Sequence, residues 1–546
     1  MNKIWILCLM LNAIQMNAQV APVQTVSRPK LVVGIVVDQM RWDYLYRYYD
    51  RYAPTGGFKR MMSQGFSCEN TFIPYAPTIT APGHASVYTG SVPGIHGITG
   101  NAWWDRELMR SVYCTEDRSV NAVGIEPSSA GQMSPRNMLA TTICDQLQFA
   151  TNYRSKVIGV AIKDRGSILP AGHAADGAYW YDSRSGKFIT SDYYMDALPQ
   201  WVNAFNDKKW PDQLYKQNWN TLYPINTYLQ SSADEKVYEG KPLGADKKGF
   251  PYDLSEFIGK NYGAIASTPH GNTLTWEMAK AAIDAEQLGK HSVTDFLALS
   301  FSSTDYVGHS YGPNSIEIED TYLRLDKTLG DLLTYLDTKI GKGQYLVFLS
   351  ADHGVSPVPG FLTENKLPGG VFNENGWMTT MNTALKERYG NERLIVSMYN
   401  YQVHLNNKLI DSAKLDRAAI KDYIIKYLEV QKGMAQIYDI ERIMEIPINS
   451  KVRERFANGY FPRRNGDIQL IAEPNWIEGG NTGTTHGSWY PYDAHIPLLF
   501  YGWNIRAGKL NRETYMTDIA PTVAALLKIE MPSGTVGNVI PEVFLK

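Results

Sequence analysis

Cysteine is scarce in this chain, four residues in 546, and no two are spaced as C-x-x-C. That argues against a disulfide-stapled scaffold and against a thiolate zinc centre. Cys8 falls in an N-terminal leader, which leaves Cys68, Cys114 and Cys144. Three thiols allow at most one disulfide, and small buried side chains are the plainer expectation. An excess of one charge is also missing. Lys and Arg number 53 against 55 Asp and Glu, for a net charge of −2. With no basic run either, no nucleic-acid surface is expected. There is no internal repeat and no low-complexity tract. Beyond the leader no apolar run reaches the ~20 residues a membrane span needs.

The leader is the first feature present. Lys3 supplies a charged start, Ile4 to Ile14 are mostly apolar, and Asn17-Ala18-Gln19 and Val20-Ala21 offer small-residue cleavage positions. Leu7 before Cys8 does not suit a lipid anchor. Residues 1–20 therefore read as a signal peptide, and the mature chain from 21 to 546 as an exported protein, periplasmic or secreted, without stable membrane insertion. A monomer is expected.

Leu31 to Val37 form a continuous β-branched apolar run ending at Asp38, the pattern of a strand buried on both faces. Similar runs are Val157 to Ile162, Phe296 to Phe301, Tyr345 to Leu349, Ile468 to Ile471 and Pro497 to Tyr501. Helical patterns cover Pro135 to Gln148, Ile316 to Leu336 and Asp518 to Leu527. Alternating strands and helices predict an α/β fold with a central, mainly parallel sheet flanked by helices on both faces. Two stretches, about 172–273 and 360–465, break the rhythm and read as insertions capping the sheet. A length of 546 residues suffices for one large domain carrying them.

Six residues sit at strand ends or in a glycine-rich turn: Asp38, Asp305, His309, Asp352, His353 and His486. Any one alone is commonly a cap, a turn former or a satisfied polar residue. Together they offer three carboxylates and three imidazoles, an oxygen and nitrogen donor set suited to Zn²⁺ in an open site. Asp305 and His309 are four apart and share one helix face. Thr80, in Thr80-Ala81-Pro82-Gly83-His84, is a candidate nucleophile; nearby Thr78 lacks that context. Lys163 and Arg165 follow the strand Val157 to Ile162 and suit the non-bridging oxygens of a phosphate, although such charges are often surface pairs. His173, His270, His291, His404 and His495 lack ligand-like partners.

Asp38-Gln39-Met40-Arg41-Trp42-Asp43, Thr80-Ala81-Pro82-Gly83-His84, Gly94 to Asn101, Asp305-x-x-Gly308-His309, Ser350-Ala351-Asp352-His353-Gly354 and Thr485-His486-Gly487 occur in that order. They resemble the metal, nucleophile and phosphate-contact motifs of the alkaline phosphatase superfamily, in its nucleotide pyrophosphatase/phosphodiesterase-like branch. The resemblance implies that Asp305, His309 and His486 ligate one zinc and Asp38, Asp352 and His353 the other. Thr80 joins the second set, and two ions ~4 Å apart clamp an in-line displacement. It further implies that Asn101 contacts the phosphate, that His84 and His96 shape loops and that Asp493 orients a metal ligand from behind. Lys163 with Arg165 resembles the monoesterase-type, PafA-like phosphatases of flavobacteria. The implied activity is phosphomonoester hydrolysis through a phosphothreonine. The alternative is a zinc phosphodiesterase, nucleotide pyrophosphatase or phosphonate hydrolase on the same fold.

Overall fold

The structure, a computed structural model, describes residues 26–544. The expected leader lies outside these residues. Ten strands form the main sheet: β1 (Leu31–Val37), β2 (Phe66–Cys68), β3 (Ala122–Val123), β4 (Val157–Ala161), β5 (Gly177–Asp182), β6 (Lys187–Ser191), β7 (Asp295–Phe301), β8 (Tyr345–Ser350), β9 (Leu498–Gly502) and β10 (Gly508–Leu510). Their order is β10-β2-β9-β8-β1-β7-β4-β5-β6-β3. The five central strands, β8-β1-β7-β4-β5, are mutually parallel. β9 runs antiparallel to β8, and β6 to β5.

The centre is parallel because its strands are apolar on both sides. Every residue of β1, β4, β7 and β8 is buried. One group of helices, α1 (Thr80–Thr89), α2 (Ile143–Ala150), α3 (Asp164–Ala171) and α7 (Ile519–Leu527), packs together over one face. The other face carries α4 (His270–Ala285) and α6 (Ile316–Leu336), preceded by the short α5 (Ser303–Tyr311). The hydroxyl of Ser315 caps α6 by accepting from Ile318 N–H at 3.2 Å.

Three local expectations shift. The helical pattern from Pro135 condenses to Ile143–Ala150. There Thr142 and Asp145 form a capping box, with Asp145 N–H to Thr142 Oγ1 at 3.1 Å and Thr142 N–H to Asp145 Oδ2 at 2.8 Å. The apolar run at Ile468 leaves the main sheet. It joins a four-stranded sheet with Ile395–Tyr399, Gln402–Leu405 and Met434–Asp439, which has its own apolar core around Leu385, Val403 and Ile424. A doubly buried strand pattern reports burial, not which sheet supplies it. Finally, β5 and β6, inside the stretch from 172, extend the main sheet. Cys68, Cys114 and Cys144 are buried free thiols. Among the described residues no helix is long and apolar enough to cross a membrane.

Candidate active site

The C-terminal ends of β1, β4, β7 and β8 point to one end of the sheet, where ligand sites of parallel α/β folds gather. Asp38 follows β1, Lys163 and Arg165 follow β4, Asp305 and His309 ride on α5 after β7, and Asp352 with His353 follows β8. His486 comes from the loop before β9, and Thr80 is the first residue of α1. The structure brings the six candidate ligands and Thr80 together. Ligand atoms of Asp38, Asp352 and His353 lie within 4.8 Å of one another, as do those of Asp305, His353 and His486. His309 Nε2 approaches the second group from α5, 3.1 Å from Asp305 Oδ1, while His486 Nε2 is 3.9 Å from that oxygen. His353 thus stands between the two groups, its ring stacked on His486 with centroids 3.5 Å apart.

All three imidazoles are held in one tautomer by the backbone. Nδ1–H of His309 donates to Thr484 O at 2.7 Å, that of His353 to Gly354 O at 2.8 Å, and that of His486 to Thr78 O at 2.7 Å. Each Nε2 is left with its lone pair facing the cluster, the arrangement metal-binding histidines adopt. Asp38 Oδ1 and Asp352 Oδ2 are buried without a hydrogen-bond partner. Buried carboxylate oxygens beside imidazole lone pairs fit divalent ions with nitrogen and oxygen preference.

The electrostatics are those of crowded acids. Burial, then the charge of Asp352, raises the Asp38 carboxyl well above its ordinary range. For Asp305 burial acts the same way, but the positive charge of His309 when it is protonated, and that of Lys163, outweigh it and hold that carboxyl well below. Burial, reinforced by His353 and His309, keeps His486 neutral at ordinary pH.

Thr80 Oγ1 lies 3.2 Å from His353 Nε2. The Thr78 hydroxyl is engaged with Ser488 O at 2.7 Å. Gly83 lets α1 approach the end of β8: a Cβ there would meet Asp352 O at 2.4 Å. His84 donates from Nδ1 to Thr80 O at 2.9 Å, and the same nitrogen is 3.3 Å from Asp352 Oδ2. It therefore braces the Thr80 turn against the end of β8. His96 donates to Ser86 at 3.0 Å and accepts from Ile98 N–H, fixing the next loop.

Asn101 Oδ1 accepts Ala81 N–H at 3.0 Å, which leaves its Nδ2 hydrogens as the donating edge beside the start of α1. Lys163 and Arg165 are not surface charges. Lys163 Nζ sits 2.6 Å from both Asp38 Oδ2 and Asp305 Oδ2, so it bridges one carboxylate of each ligand group. Arg165 donates to Tyr113 Oη at 2.8 Å, and its Nε has no partner. Asp493 accepts from Ser488 N–H at 2.8 Å and Ser488 Oγ at 2.6 Å, so it holds the loop two residues beyond His486 without touching a ligand.

Gln39 also contributes, a residue that the motifs do not single out. Its side-chain amide donates to Asp305 Oδ1 at 2.8 Å and its backbone N–H to Asp352 Oδ1 at 3.0 Å, from a left-handed φ of 65°. Gly308 makes room for it, since a Cβ there would lie 1.9 Å from Gln39 Oε1. The only signal in the sequence was its position next to Asp38.

This sheet and site define a metal-dependent α/β hydrolase, and residues 32–491 match the type I phosphodiesterase/nucleotide pyrophosphatase family. The chain belongs to that family, within the alkaline phosphatase superfamily. It is 53% identical over 554 residues to alkaline phosphatase PhoV of Synechococcus elongatus, covering 99% of each chain. It is 51% identical to alkaline phosphatase PafA of Elizabethkingia meningoseptica, again over 99% of each. The crystal structure of wild-type PafA superimposes with a TM-score of 0.93 at 52% identity, over 95% of this chain and 100% of that one.

Proposed function

We propose that this alkaline phosphatase is an exported, two-zinc phosphomonoesterase that uses Thr80 as its nucleophile. The observation carrying the reading is the position of Thr80: first residue of α1, 3.2 Å from His353 and packed by Gly83 against the strand end that bears Asp352 and His353. Asp38, Asp352 and His353 would hold one zinc beside Thr80, and Asp305, His309 and His486 the other. Bound there, the ions supply positive charge that acidifies the hydroxyl and neutralises the departing alkoxide.

The chain's own groups do the rest. Thr80 Oγ attacks phosphorus in line, the ester P–O bond breaks, and the leaving alcohol ends with the proton that Thr80 gives up. The product is a phosphothreonine, which water cleaves to inorganic phosphate, restoring the hydroxyl. The Asn101 amide, held at the positive end of α1 by Ala81 N–H, faces the transferred group with its Nδ2 hydrogens. Lys163 and Arg165 add charge for the non-bridging oxygens that a monoester dianion exposes and a diester masks. The organic group leaves away from Thr80, toward His309. There a cavity of about 440 Å³ is lined by His309, Glu374, Glu478 and Thr482 to Thr485. A larger cavity of about 670 Å³, near Gly124 and Arg184, contains none of the candidate residues.

The test pairs p-nitrophenyl phosphate with its methyl diester, each with and without a chelator. Monoester turnover should exceed diester turnover by orders of magnitude and disappear with the metal. Faster diester cleavage would shift the assignment to a phosphodiesterase, and turnover indifferent to chelation would remove the metals from the reaction.

A further inference from the structure

The loop that carries Asn101 is held by residues of the four-stranded sheet and its connections. Gly97-Ile98-Thr99-Gly100-Asn101 leads into a hairpin of Ala102–Asp105 against Arg110–Tyr113. Arg464 lies between the helix Ser450–Gly459 and the strand Ile468–Ala472. Its Nη1 donates to two carbonyls, Gly97 O and, at 2.7 Å, Asn137 O. The guanidinium also sits 4.6 Å over the ring centroid of Trp103, a side chain only 1% exposed. Asn400 takes the main chain just after Asn101: its Nδ2 donates to Ala102 O at 3.0 Å. It is presented by the turn between Ile395–Tyr399 and Gln402–Leu405, where Asn400 and Tyr401 are both left-handed, with φ of 55° and 58°.

Two glycines mark how closely these donors approach. A Cβ on Gly97 would lie 2.8 Å from Arg464 Nη1, and one on Gly100 would lie 2.3 Å from Asn400 Nδ2. Arg464 and Asn400 thus bracket Asn101, one acting four residues before it and the other on the next peptide. A second route runs through Asn137, which accepts from Arg464 and donates from Nδ2 to Cys114 O at 3.2 Å. Cys114 N–H in turn donates to Asn101 O at 2.9 Å.

Arg464 differs from its neighbour Arg106, which pairs with Asp467 at 3.2 Å. Its hydrogen bonds go to carbonyls, and burial, only partly offset by the charge of Asp105, brings the guanidinium down to about 10. Burying a cation this way is costly, and an apolar side chain would join the two segments at less expense. What a guanidinium adds is direction, because its planar donors fix the carbonyls they bind.

We propose that Arg464, with Asn400, is a positioning residue for Asn101: it fixes the main chain around Asn101 and so aims the Asn101 amide at the phosphate. This rests on the reading of Asn101 as a phosphate contact. It gives the smaller sheet a part in the reaction although none of its own groups touches the reacting atoms.

A double-mutant cycle on p-nitrophenyl phosphate at saturating zinc separates positioning from general support. Arg464→Met keeps an apolar stem on Trp103 and removes the donors. It should lower kcat/KM by ~10-fold. Asn101→Ala alone should cost ~10²-fold, and adding Arg464→Met to it should cost no more than about twofold further. Arg464→Lys, which keeps N–H donors on a cation, should recover part of the loss. Asn400→Asp removes the donor to Ala102 at nearly constant shape and should show the same dependence on Asn101. An Arg464→Met loss of equal size with and without Asn101 overturns the proposal, as does an Arg464→Met enzyme as active as the wild type. If Arg464→Met does not fold, the Asn400→Asp cycle decides by the same criterion. A fully active Asn101→Ala enzyme would remove the phosphate contact itself, and the positioning with it, whereas additive losses overturn the positioning alone.

Discussion

Gln39 donates its side-chain amide to Asp305 Oδ1 at 2.8 Å, across the gap between the two ligand groups. Its backbone N–H meanwhile holds Asp352 Oδ1, so one residue sets the orientation of a carboxylate in each group. Outer-shell partners of this kind commonly account for 10–100-fold in metal affinity. Gln39→Ala should lower zinc affinity by about that factor in a competition titration and recover most activity at saturating zinc. Unchanged affinity would show that Asp305 orients itself.

Thr80→Ala should abolish the phosphoryl-enzyme and cut turnover by ~10³-fold or more. Thr80→Ser, which keeps a hydroxyl at the start of α1, should retain measurable activity. Mass spectrometry of acid-quenched enzyme tests the covalent step directly. Undiminished phosphate release by the alanine variant would exclude Thr80.

Removing Lys163 or Arg165 should cost monoester turnover about 10²-fold and diester turnover several times less. Lys163 carries a second expectation, because its ammonium lies 2.6 Å from a carboxylate of each ligand group. Lys163→Ala should therefore also change zinc affinity, while Arg165→Ala, whose guanidinium contacts Tyr113, should not. Equal losses on both ester types would show that the pair does not select the substrate.

Three histidines outside the site should make the fold acid-sensitive. Burial is the main cause that holds His96 and His404 down at about 3 and His270 at about 4. The unfolded chain binds these protons near pH 6.5 and the folded chain does not, so stability is complete above that value and falls as pH drops toward 4. Each group should cost about 2 kcal/mol by pH 5. Chemical denaturation between pH 7.5 and 5 measures the loss, and His404→Gln should reduce its slope.

The sequence made the central sheet legible because β1, β4, β7 and β8 are apolar on both faces, and each ends on a residue with chemistry. The candidate ligands were readable for the same reason: a strand's end fixes where Asp38 or Asp352 must sit. Two things were not. The run at Ile468 looks like any core strand, and only pairing with Gln402–Leu405 assigns it to the smaller, four-stranded sheet. Lys163 and Arg165 could be read as phosphate-binding charges, but not that Nζ would settle between Asp38 and Asp305, because that depends on two strands 125 and 142 residues away in the chain. Gln39 was invisible because its function comes from a left-handed backbone that no pattern of residue types announces.

Gly83 has a consequence for tolerance to change. Its α-carbon rests against the peptide of Asp352, where even a methyl group would collide at 2.4 Å. The spacing between the Thr80 turn and the end of β8 is thus a contact between two main chains, with no side chain at position 83 to trim or rotate. Side chains around the Thr80 turn can change while the spacing that Gly83 sets stays fixed like the gauge of a track.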